Sequence, residues 1–264
     1  MLRAALALVA LCSSAVAAFG APAMDAVMAA QDFSGVVLVI DRGAVVFDRA
    51  YGLADRDAAL PNRTTTAFRI GSLTRLYITT QIVALAEKHK LALDNTAEQF
   101  ADGAGPILIG DLLKRTDDPA TLVLGRVLAG AAHASLPDAL GDMFSSLWMT
   151  ASAVDTGGAS HSVAQDYRGP PQAVVAYSTT RDLLRWTNAF FGGDLVSAEG
   201  RRMLLKTWDK VPGAPGDDTW QTSSAEAAII VQPGIGRTVI ILSNGGSSAP
   251  ADIGARLYRT LPNH

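Results

Sequence analysis

The apolar positions of this chain fall into strand-like runs at its two ends and helix-spaced runs between them. Near the start, "FSGVVLVIDRGAVVFDRAYG" predicts two strands around a tight turn at Asp41-Arg42-Gly43. Val36 to Ile40 is apolar without alternation, the pattern of a strand covered on both faces. Near the end, "AEAAIIVQPGIGRTVIILSNGG" places apolar runs at 227–231 and 238–242 around a Pro-Gly-x-Gly turn, predicting a second hairpin. Met24, Val27 and Met28 mark a short helix before the first hairpin, and Ile253, Leu257 and Leu261 mark one after the second. Residues 72–90 give the strongest helix, apolar on most sides until Glu87-Lys88-His89-Lys90, which predicts burial. Ile109 to Leu113, Leu122 to Ala132 and Ala139 to Leu147 are further helical pieces. "STTRDLLRW" opens another, with Thr179 and Asp182 spaced as a capping box. The stretches 155–176 and 209–224 read as loops or irregular edges, and no internal repeat is present.

Strands at both ends with helices inserted between them predict an α+β sandwich whose ends meet in one antiparallel sheet. A reduced helical lobe at about residues 101–176 packs beside that sheet, with any cleft at the junction.

The first residues change the picture of where the chain works. Met1-Leu2-Arg3 is a positive start, Ala4 to Leu11 an apolar run, and Ala15-Val16-Ala17 a small-x-small pattern. Together they predict a signal peptide over 1–18, with a second cleavage option at Ala23, and a periplasmic or secreted mature protein. Residues 24–264 then form a single domain. No later segment approaches the length of a membrane span. Cys12, the one cysteine, lies inside the signal, and Leu11 before it does not suit lipoprotein processing. The mature chain therefore has no disulfide, thiolate metal site or cysteine nucleophile. The formal charge is -3, and removal of Arg3 with the signal takes it to -4. With no basic run, nucleic acid is excluded as a partner.

Candidate chemistry begins at "FRIGSLTRLY", where Ser72 stands at the head of the apolar helix and Arg75 follows one turn later. A serine in that place is ordinarily a helix cap. The phrases "FSGVVLVIDRGAVVFDRAYGLADRDAALPN", "FRIGSLTRLYITTQIVALAEKHKLALDN", "ILIGDLLKRT", "VVAYSTTRDLLRW" and "VIILSNGG" recur in one order across residues 30–250. In that order they resemble the serine β-lactamase-like superfamily, the branch of class C β-lactamases, D-alanyl-D-alanine carboxypeptidases and esterases. The resemblance implies a β-lactamase/transpeptidase-like sandwich with Ser72 at the nucleophile's position. Such enzymes use an S-x-x-K pair, a Y-x-N element and a K-T-G or H-x-G box.

Arg75 holds the place of the lysine, and arginine, with a pKa above ~12, is not a general base at neutral pH. The alignment places Thr116 and Asp118 at the Tyr and Asn positions, because the segment before them is shortened. The third box falls near Asp217 to Gln221, where "DDTWQ" supplies neither Lys, His nor Gly; Asp218 and Trp220 there, together with Asp118, are the candidate binding residues. Two acids there repel a ligand carboxylate. Tyr77 and Tyr177 are the tyrosines near matched phrases, and nothing in the sequence brings either to Ser72.

His89, His133, His161 and His264 lack ligand spacing, so neither a metal nor another cofactor is implied. Asp117-Asp118 reads as a solvated turn, and Trp148, Trp186 and Trp208 as packing residues. The expectation is an exported, catalytically degenerate relative that binds a small molecule, peptide or protein at the cleft. The alternative is a slow or re-wired serine hydrolase acylated at Ser72.

Overall fold

The computed structural model describes residues 21–155, 164, 174–211, 214 and 218–262. The signal peptide expected over 1–18, Cys12, His161, Asp217 and His264 lie outside them.

Residues 21–29 are helical (α1) and lead into β1 (Ser34–Asp41) and β2 (Ala44–Tyr51), the first hairpin. Two short strands, β3 (Leu53–Asp55) and β4 (Leu60–Pro61), pair with each other. β5 (Phe68–Arg69) precedes a 3-10 turn at Gly71–Leu73 and the helix α2 (Thr74–Glu87). The helical lobe follows as α3 (Ile109–Leu112), α4 (Asp118–Ala132) and α5 (Leu136–Ser146). β6 (Ala153–Val154) and β7 (Ala176–Ser178) join β5 in a three-stranded sheet under the head of α2. α6 (Thr180–Gly192) and α7 (Ala198–Leu204) return the chain to the main sheet. There β8 (Asp209–Lys210), β9 (Trp220–Ser223), β10 (Ala227–Gln232) and β11 (Arg237–Gly245) lie before the last helix, α8 (Pro250–Arg259).

The main sheet is antiparallel, ordered β2-β1-β11-β10-β9-β8, so the two chain ends meet as β1 against β11. The unbroken apolar runs have the predicted cause. Val36, Leu38, Ile40, Ile229 and Ile240 pack with α2 and α6 on one face, while Val37, Val39, Ile230 and Ile241 pack with α1 and α8 on the other. Every residue of β1 and β10 is buried. Asp41 and Arg237 close the β1–β11 seam with a fully buried ion pair, Nε to Oδ1 at 2.8 Å. Arg237 also donates to the Pro262 carbonyl at 2.9 Å, tying the C-terminal turn to the sheet.

α2 buries Thr74 to Thr80 without interruption, which explains its lack of a polar face. α6 starts as predicted, with Thr179 Oγ1 accepting from the Asp182 N–H at 3.1 Å, but the capping box is only half built. The Asp182 carboxylate instead accepts from the Ala151 N–H at 2.9 Å and the Ser152 hydroxyl at 3.0 Å, binding α6 to the end of the helical lobe.

Of the two readings of 209–224, loop or irregular edge, its ends take the second: they form β8 and β9, which extend the sheet beyond β10 because backbone pairing needs no hydrophobic alternation at an edge. α7 carries no strong periodic signal and is found only in the structure. Trp148 is not a packing residue; it is 76% exposed and has a φ of 57°. It stands just past α5, where the Met149 N–H reaches the Phe144 carbonyl at 2.8 Å, a left-handed helix stop usually given to glycine. His89 and His133, also at positive φ, end α2 and α4 in the same manner.

Candidate functional site at the head of α2

The segment Ile70-Gly71-Ser72 is pinned from two sides. The Ile70 N–H donates to the Ala176 carbonyl at 3.0 Å, and Thr74 Oγ1 donates to the Gly71 carbonyl while accepting from the Ala176 N–H, both at 2.8 Å. From the main sheet, the Ser224 hydroxyl donates to the Ile70 carbonyl at 3.2 Å. Ser72 thus sits on a 3-10 turn immediately before α2, with β9 alongside. Its side chain is half-buried, and among the described residues its hydroxyl makes no hydrogen bond. The helix dipole favours negative charge at this place.

Arg75 does not serve that hydroxyl. The residue is 6% exposed, and its Nη2 donates to the carbonyls of Leu112 at 3.0 Å and Leu113 at 2.9 Å. These carbonyls stand at the end of α3, where that of Leu112 also accepts from the Arg115 N–H at 3.2 Å. Burial pushes the Arg75 pKa down to about 10, with Asp117 pulling it back up. That still leaves it charged at neutral pH and unfit as a base. Nη1 is buried without a hydrogen-bond partner among the described residues.

The other candidates are dispersed. Thr116 is exposed in the turn before α4 and Asp118 is exposed in that helix's first turn; Asp117 provides the N-cap, accepting from the Ala120 N–H at 2.9 Å. Asp218 has both carboxylate oxygens on the β10–β11 turn, accepting from Gln232 Nε2 at 3.3 Å and the Gly234 N–H at 3.0 Å. That turn lies at the end of β10 opposite Ala227, hence away from Ser72. Trp220 sits on β9 opposite Val231, half-buried against the core, with Lys210 Nζ 3.3 Å from its ring centroid.

Neither tyrosine is a ready base. Tyr77 is fully buried, its hydroxyl donating to Ser178 Oγ at 3.1 Å, and burial pushes its pKa up. Tyr177 is raised to about 12 by burial and by Asp155, against the lowering effect of Arg69. Among the described residues no group of three or more His, Cys, Asp or Glu could hold a metal ion.

The residue that sequence reasoning passed over is Glu226. It is 3% exposed, and neither carboxylate oxygen has a hydrogen-bond partner among the described residues. The carboxylate lies against Gly71: a Cβ built there would stand 1.8 Å from Glu226 Oε2. The available signal was the single charge in "SAEAAIIV", at the head of a strand otherwise apolar throughout. Ser72 lines none of the three cavities described, which measure about 610, 420 and 360 Å³; Glu226 lines the largest.

With this geometry in place, likeness to known proteins can be set beside it. The Beta-lactamase family model matches residues 21–116, which include Ser72 and Arg75. Esterase EstB of Burkholderia gladioli is 34% identical over 90 residues, 31% of this chain and 23% of that protein. The chain spans less than a quarter of the length of the curated relatives it matches, 23% and 17%. A penicillin binding protein from Bacillus halodurans superposes with a TM-score of 0.73 at 15% identity, over 90% of this chain and 100% of that one. D-alanine carboxypeptidase AmpC from Burkholderia cenocepacia does so with a TM-score of 0.73 at 16% identity, over 94% of this chain and 100% of that one. At such identities the superpositions establish the fold. By sequence the chain is similar to the Beta-lactamase family over residues 21–116, and along most of its length it has the fold of these penicillin-binding and carboxypeptidase structures.

Proposed function

We propose that this protein is an exported, catalytically degenerate member of its superfamily that binds a small molecule, peptide or protein beside Ser72 without turning it over. The observation that carries this reading is the commitment of Arg75 to the carbonyls of Leu112 and Leu113. General-base help is commonly worth ~10²–10⁴ in rate, and a serine without it is a poor nucleophile. The placements of Thr116, Asp118 and Asp218 add to it, since none offers a replacement proton acceptor at Ser72. Export rests on the residue pattern of the first 18 positions.

One feature favours the second reading, a slow serine hydrolase: the Ser72 hydroxyl is half-exposed and unengaged at the head of α2. Intact-mass analysis after separate exposure to a fluorophosphonate and a penicillin decides between the two. The expected result is an unmodified wild-type protein. An adduct that disappears in Ser72→Ala would overturn the proposal. Labelling gained only in Arg75→Lys would place the loss of activity in that one residue.

A further inference from the structure

The largest cavity, about 610 Å³, opens where the main sheet ends, between the β9–β10 turn, the end of β11 and the start of α8. Its wall carries two carboxylates, Asp32 and Glu226, and one guanidinium, Arg56. Most of its polar groups are already engaged. Asp32 Oδ2 accepts from the Ser247 N–H at 2.9 Å, the Ser243 hydroxyl donates to the Ser34 carbonyl at 3.0 Å, and the Arg56 guanidinium lies over Gly245. Glu226 is the exception, with a carboxylate shut off from solvent and no donor among the described residues. An unpaired buried carboxylate costs several kcal/mol in general, and proteins that keep one supply a proton or a cation.

We infer that this cavity is a binding site for a small organic ammonium ion, with Glu226 as its counter-ion. Glu226 lines the cavity while its carboxylate rests against Gly71, and the inferred binding of the ammonium includes a turn of that side chain from Gly71 into the cavity. That movement exchanges an unpaired carboxylate for a charge-assisted hydrogen bond. A metal ion is the weaker fit, because it asks for several hard ligands at once. No group of three or more His, Cys, Asp or Glu stands together among the described residues. A primary amine needs one carboxylate and neutral oxygens for its remaining N–H groups, and the hydroxyls of Ser247 and Ser248 lie in the same wall. The cavity volume is within the usual range for small-molecule sites.

The site is separate from Ser72, so its test stands apart from the acylation experiment. Calorimetric titration with n-butylammonium should give saturable one-to-one binding, with n-butanol and butyrate showing none. Glu226→Gln should weaken it about tenfold or more, the usual worth of a charged hydrogen bond. Ser248→Leu, which narrows the cavity without touching the carboxylate, should weaken it too. No saturable binding to the wild type overturns the inference, as does unchanged affinity in folded Glu226→Gln. Should Glu226→Gln fail to fold, unchanged affinity in Ser248→Leu overturns it instead.

Discussion

Gly71 meets two requirements that no other residue satisfies. Its φ of 58° is in the left-handed region, and the space a Cβ would take is filled by Glu226 Oε2. Left-handed backbone alone costs an L-residue ~1–2 kcal/mol, and displacing the carboxylate, the far end of a flexible side chain, adds a smaller amount. Gly71→Ala is therefore expected to lose about 2 kcal/mol or more in urea denaturation. Glu226→Ala removes the clash but not the backbone strain, so the double variant should be more stable than the sum of the single effects predicts, by about 1 kcal/mol. Simple additivity would show that the carboxylate does not press on Gly71. Arg75 carries the parallel lesson for polar residues. The sequence places it one turn after Ser72, yet only the position of α3 decides that its guanidinium turns toward Leu112 and Leu113. Helical spacing fixes which face a side chain leaves from, and a long side chain can still choose among the partners near that face.

Among the elements, those with a strong period or an unbroken apolar run were legible: α2, α8, β1, β10 and β11 stand where the pattern predicts them. The short pieces were not. β5, β6 and β7 have two or three residues each, too few for any period, and exist because tertiary structure brings three distant segments together to satisfy one another's backbone groups. Trp148 was misread because aromatic residues are usually buried, whereas helix stops are set by backbone geometry. Its left-handed conformation makes a test with an unusual sign. Trp148→Gly should raise stability by about 1 kcal/mol, since glycine adopts this conformation without strain and little buried surface is lost. A fall in the thermal midpoint would mean that the indole makes contacts its exposure conceals.

At the scale of the whole molecule, closure depends on bringing β1 and β11, about 200 residues apart in sequence, into one ladder, as in the Val39↔Val239 pairing. The Asp41–Arg237 pair locks that seam away from water. Asp41→Ala leaves Arg237 buried without its counter-ion and is expected to cost ~3–5 kcal/mol. Replacing both, as Asp41→Leu with Arg237→Met, should recover most of the loss, since the desolvation penalty goes with the charges. Equal destabilisation by the single and double changes, read from urea midpoints, would show that the Pro262 contact of Arg237 matters more than the ion pair.

By itself the sequence determined the sandwich, the order of its longer strands and helices, and the place of Ser72 at the head of α2, because these follow from apolar patterning and an ordered set of local phrases. The tertiary structure alone decided what surrounds that serine. It committed Arg75 to α3 and Asp218 to a hairpin turn, left Asp118 on the surface, and laid Glu226 against Gly71. The physical reason is one of range: patterning is written in neighbouring residues, whereas the partner of a charged side chain is set by where distant segments meet.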